Sequence, residues 1–120
     1  MEIVIARQDL KPWGIDGRLY INRKHICDTV EHPSKHLLAG KYIISSLDCF
    51  SSLSFEEGRR EVCRFRHGDG ALSLKQQEII VGKYLLPGVV TASQPTYDRL
   101  YERLKKAIQR GSPIHLTIRG

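Results

Sequence analysis

The sequence has no apolar run approaching the roughly 20 residues that a membrane-crossing helix needs. Its first residues, Met1 to Arg7, lack the basic start and the roughly 7–15-residue apolar core of a secretory signal. A soluble, cytoplasmic protein with no membrane partner is the expectation. Cysteine is scarce as well. The three residues Cys27, Cys49 and Cys63 cannot all pair within one chain and fit no CxxC metal knuckle, which leaves reduced, buried thiols. Trp13 is the one tryptophan; flanked by Pro12 and Gly14 it could offer a stacking platform, although a lone tryptophan in a turn more often caps a core. Repeats, low-complexity segments and long linkers are all missing, so nothing divides the 120 residues, and residues 1–120 read as one domain. A chain of this length can bury a core without disulfides or metals.

What is present is mostly short alternation. Ile3 and Ile5, then Leu19 and Ile21, mark two strands, the second turning at Asn22-Arg23-Lys24 into His25 to Val30. Gly40 to Ser45 forms another strand. Phe50 to Phe55 can pair with Glu61 to Arg66 across the Glu56-Glu57-Gly58-Arg59 turn. One stretch has a helical period: Tyr97, Leu100, Tyr101, Leu104, Ala107 and Ile108 fall at i, i+3, i+4, i+7, i+10 and i+11. A helix from about Thr96 to Arg110 follows, capped by Ser93 or Thr96, with Pro95 in its first turn and Gly111 as a left-handed stop. Ile114, Leu116 and Ile118 then alternate in a final strand, with His115 on the opposite face. The fold class is α+β, mostly antiparallel β with one C-terminal amphipathic helix.

Gly17-Arg18-Leu19-Tyr20-Ile21, Cys27-Asp28-Thr29-Val30-Glu31 and Leu38-Ala39-Gly40-Lys41-Tyr42-Ile43-Ile44, in that order, resemble the "G-x-LYI", "C-x-T-L-E" and "P-G-x-Y-x-I" strands of a domain-of-unknown-function family of bacterial and phage proteins. His67-Gly68-Asp69-Gly70 and the Ser93 to Ile108 segment resemble its later "H-x-G" and helix. The likeness spans nearly the whole chain through short, degenerate motifs. Members of that family are distantly similar to L,D-transpeptidases, β-rich enzymes that crosslink peptidoglycan through a histidine and a cysteine in an "HG…S-x-G-C" pattern. The resemblance implies a barrel- or sandwich-like sheet and a site around His67.

In the family's register the glycine closing the "GCILVG"-type strand lies fifteen residues after the histidine, as Gly82 does after His67. The cysteine position then falls at Glu78, its preceding glycine at Gln77 and the hydroxyl residue at Lys75. A carboxylate in place of the thiolate would give a labile mixed anhydride with an acyl donor, so the family's cysteine chemistry is missing. Cys63 does not replace it, because four residues of strand separate it from His67 by about 13 Å. His67 is either a turn histidine, with Gly68 and Gly70 supplying positive φ angles, or part of a residual pocket; Glu78 is either a pocket group or a strand residue with its side chain in water. The residues assigned to binding are His67, Gly68, Asp69 and Glu78, with no catalytic residue.

His32 and His36, with His25 nearby, raise a metal site, but Pro33 makes that segment a loop and no carboxylate or thiolate completes a ligand set. No metal or cofactor is assigned. Lys and Arg exceed Asp and Glu by 19 to 13, and the helix concentrates Arg99, Arg103, Lys105, Lys106 and Arg110 against Asp98 and Glu102. Such a face can neutralise phosphates, yet is more often simply solvated. The expected function is therefore a non-catalytic binding or structural module of the degenerate L,D-transpeptidase-like type, recognising a cell-wall peptide or a protein partner. A residual cell-wall-acting enzyme using His67, and nucleic-acid binding through the helix, stand as alternatives.

Overall fold

The computed structural model describes residues 1–46, 49–52 and 63–120. Nine strands are described: β1 (Glu2–Lys11), β2 (Gly14–Ile21), β3 (Lys24–Glu31), β4 (Gly40–Ser46), β5 (Cys49–Ser52), β6 (Arg64–Arg66), β7 (Glu78–Leu86), β8 (Val89–Thr91) and, after helix α1 (Ser93–Gln109), β9 (Ile114–Arg119). A single 3-10 turn, Ala71–Ser73, precedes β7. The sheet runs β5-β4-β9-β1-β2-β3-β7-β6, with β8 paired to β7. It is open along this path and mostly antiparallel. The exceptions are β9 beside β1 and β6 beside β7, both parallel.

Alternation decides which face each strand buries. Ile3 and Ile5 of β1 lie opposite Ile21 and Leu19 of β2, and opposite Leu116 and Ile118 of β9. All six are buried with Cys27, Tyr42, Ile44, Ile79 and Val81 against Leu100, Leu104 and Ala107 of α1. A smaller cluster, Val30, Ala71, Leu74, Ile80 and Val90, covers the reverse face at the β3–β7 end. The β2–β3 connection is a two-residue turn in which Asn22 and Arg23 both take positive φ, 49° and 72°; its twist matches that of the flanking strands.

The helix begins at Ser93, ahead of the expected start, and its N-cap differs from the sequence reading. Ala92 is the cap residue, at φ 51°, with no side-chain cap. The Ser93 hydroxyl is used elsewhere: it donates to the Val81 carbonyl and accepts the Gly68 amide at 3.0 Å, stitching the helix start to β7 and to the chain after β6. Thr96 Oγ1 donates back to the Ala92 carbonyl at 2.7 Å. Gly111, at φ 71°, ends the helix as expected. Of the expected pairing of the 50–55 and 61–66 runs, the greater part lies outside the described residues; the described ends pair elsewhere, β5 with β4 and β6 with β7.

Leu104 is fully buried beneath the helix. Leu104→Ala is expected to cost about 2–5 kcal/mol through lost burial and a residual cavity, read by denaturant unfolding. A loss under about 0.5 kcal/mol, the range of surface substitutions, would place the stripe in solvent.

Candidate functional site

His67 follows β6 in the alternation that buries Cys63 and Phe65 and turns Arg64 away from the core. Its exposed ring stands edge-on to Tyr97 of α1, centroids 5.8 Å apart and planes at 70°. The ring makes no hydrogen bond among the described residues. The backbone around it is firmly held: Arg66 Nε donates to the His67 carbonyl at 3.1 Å, the Gly68 amide meets Ser93, and the Asp69 carbonyl accepts the Val90 amide at 2.9 Å. The Asp69 side chain is exposed.

The glycines here serve closeness rather than unusual backbone angles. Neither Gly68 nor Gly70 has positive φ, contrary to the turn geometry expected of them. A Cβ on Gly68 would lie 2.9 Å from Ile80 Cδ1, so a larger residue there would require the end of that side chain to shift.

Glu78 corrects the expectation of a carboxylate in water. It is 6% exposed and sits opposite Arg64 in the parallel β6–β7 register. Arg64 Nε donates to Oε2 at 2.6 Å and Arg66 Nη1 to Oε1 at 3.3 Å, so each carboxylate oxygen accepts from one guanidinium. Ile79 and Val81, which flank Glu78 and Ile80 in β7, face the helix, so Glu78 points to the other side of the sheet. His67 and Glu78 are therefore not brought together: one packs on α1, the other on two arginines behind the sheet. Of the other motif positions, Lys75 is exposed and Gln77 reaches the His36 carbonyl at 3.4 Å.

Cys27 and Cys63 are the thiols whose side chains the structure describes. Cys63 is buried. Burial, helped by Asp28 and opposed by Arg99, pushes the Cys27 thiol up to about 12. The side chain of Cys49 lies outside the described residues. The histidine-rich loop is structural in its contacts: His32 Nδ1 accepts the Ser34 and Lys35 amides at 3.1 and 3.0 Å, and His36 Nδ1 lies 3.1 Å from the His32 carbonyl. His25 pairs with Asp28 at 3.0 Å.

Two features escaped the sequence reading. The first is a buried ion pair. Glu31 is 0% exposed and takes Arg7 in a two-pronged grip, Nε to Oε2 at 2.9 Å and Nη2 to Oε1 at 2.8 Å, while Nη2 also donates to the Leu37 carbonyl at 2.6 Å. Removing one partner of such a pair typically costs about 3–5 kcal/mol, because the other is left charged and buried. Nothing local signals it, since the residues stand 24 apart. With side chains only 8% and 1% exposed, the pair holds β1, β3 and the following loop together.

The second is an apolar end. Trp13 at the β1–β2 tip is 43% exposed, and Leu72 of the 3-10 turn and Leu85 and Leu86 at the β7–β8 tip are more exposed still. The tips are locked together through Gly88. Its amide donates to Asp16 Oδ1 at 2.9 Å, its carbonyl accepts the Ala71 amide at 2.9 Å, and a Cβ there would lie 2.6 Å from the Trp13 carbonyl and 3.1 Å from its ring. Its φ of 78° also favours glycine. Sequence alone left Trp13 as a stacking platform or a core cap; in the structure its ring lies against Gly88 and is partly exposed.

Compared with family models, with curated proteins and with solved structures, the chain finds no match in any of the three.

Two measurements check this geometry. In Glu78→Cys the new thiol would lie between Arg64 and Arg66, so its pKa should fall below the ~8.5 of a free cysteine and stay there when His67→Ala is added. A shift on losing His67 would mean that the two positions do converge. Cys27 should alkylate slowly with iodoacetamide in the native state at neutral pH, because the reactive thiolate is suppressed. Since its folded pKa is raised, the thiol's contribution to stability is full below pH 9 and is lost as pH rises toward 12; labelling faster than a free thiol would contradict that burial.

Proposed function

We propose that the domain is a non-catalytic binding module of the degenerate L,D-transpeptidase-like type, and that its partner is a protein docked on the apolar end formed by Trp13, Leu72, Leu85 and Leu86. The exposure of these four side chains on interlocked turns carries the reading. Contiguous exposed apolar surface is costly to leave in water and marks contact sites, and tryptophan is prominent among the residues that dominate protein interfaces. The placing of Glu78 on two arginines and away from His67 supports binding over catalysis. A cell-wall peptide, which is short and carries carboxylates, would want cations in a cleft; the apolar end favours a protein. In this reading residues 1–120 work as one domain in the cytoplasm, and the open sheet is a variant of the barrel- or sandwich-like architecture.

The test places a photo-crosslinking benzoylphenylalanine at Leu72 or Leu86 in the source cell, with Lys105 on the outer helix face as control. A discrete protein adduct at the first two positions and none at the third is the expected result. Adducts at all three alike, or at none, would remove the docking surface. Retention of wild-type protein on purified peptidoglycan, lost in a Trp13→Ser/Leu86→Ser variant that still folds, would replace the protein partner by the wall.

A further inference from the structure

The solvent side of α1 carries two stripes of unlike composition. Arg99, Arg103, Lys106 and Arg110 recur at i, i+4, i+7 and i+11 and share one stripe; Asp98, Glu102, Lys105 and Gln109 repeat the same spacing on the next. The first stripe is wholly cationic and exposed. None of its members joins an ion pair among the described residues. Like charges at this spacing repel and weaken a helix, a cost that the C-terminal position of Lys106 and Arg110 offsets only in the last turn. It lies on the flank away from Tyr97 and Tyr101, toward β3, where the Arg99 charge reaches the Cys27 thiol. The carboxylates of α1, Asp98 and Glu102, lie on the other stripe, where Glu102 neighbours Arg99 and Lys106 at i+3 and i−4, so the four cations keep a net positive excess along their flank.

We propose that this stripe binds the phosphate backbone of a nucleic-acid duplex without reading its sequence. Eleven residues of helix rise about 16 Å, and a duplex presents about one charge per 1.7 Å of its axis, so the four cations meet phosphates along their whole length. Among the four there is no aromatic ring on which unpaired bases could stack, and a guanidinium or ammonium meets any phosphate, whereas a base edge answers it only at guanine. A straight row of cations of this length fits the backbone of a duplex. The stripe and the apolar end lie on different elements, so this inference does not depend on the protein-docking reading.

The experiment is a fluorescence-anisotropy titration of a labelled duplex of about 20 base pairs and arbitrary sequence, from roughly 25 to 150 mM salt. With four phosphates neutralised, the slope of log affinity against log salt should approach about −3.6. Arg103→Gln/Lys106→Gln should weaken binding about tenfold or more at low salt and reduce the slope by about 1.8. Lys11→Gln/Lys35→Gln removes the same charge away from the helix and should stay near wild type, with thermal melts confirming that both variants fold. Equal losses in the two variants would reduce the effect to net charge and overturn the proposal. So would an absence of binding at the lowest salt, or stripe-dependent binding to phosphatidylglycerol vesicles without binding to the duplex.

Discussion

The pairing of β9 between β1 and β4 is the constraint on which the rest of the described fold depends. On one side β9 runs parallel to β1, on the other antiparallel to β4. Without it the β4–β5 hairpin has no described strand to join, and the face that receives α1 loses Ile114, Leu116 and Ile118. Because β9 closes the last residues of the chain onto the first, its pairing pays a large loop-closure cost before it is rewarded. The helix helps to meet that cost by delivering β9 from a segment already stitched to β7 through Ser93.

Charge is distributed by the same strand alternation that sorts the core. In β6 it sends Phe65 to the helix and both neighbouring arginines to the reverse face, where Glu78 receives them. In β1 and β3 it sets Arg7 and Glu31 on the core side, where they survive only as a mutually satisfied pair with the Leu37 carbonyl as a further acceptor. The Arg7–Glu31 pair lies within the main core side of the sheet, while Glu78 and its two partly exposed arginines lie behind it.

The remaining binding chemistry stays on the surface and is spatially divided. The apolar end is made by turns, where Gly88 lets the Trp13 backbone come close and ties two hairpins and a 3-10 turn together. The cationic stripe is made by a helix, whose 3.6-residue period separates Arg99, Arg103, Lys106 and Arg110 from the acids beside them.

By itself the sequence determined the β1, β2, β3 and β9 strands, the turn at Asn22 and Arg23, the Leu100–Leu104–Ala107 stripe and the stop at Gly111. These are set by short-range periodicity and local backbone preference, which can be read from neighbouring residues. Tertiary structure alone decided that Glu78 is buried against Arg64 and Arg66, that His67 faces Tyr97 instead, that Ser93 joins the helix to β7 rather than capping it, and that Arg7 finds Glu31. A fifteen-residue spacing fixes a distance along the chain but not the side of the sheet: where parallel pairing sets Arg64 opposite Glu78, one step of pleat puts a carboxylate and a histidine on opposite faces.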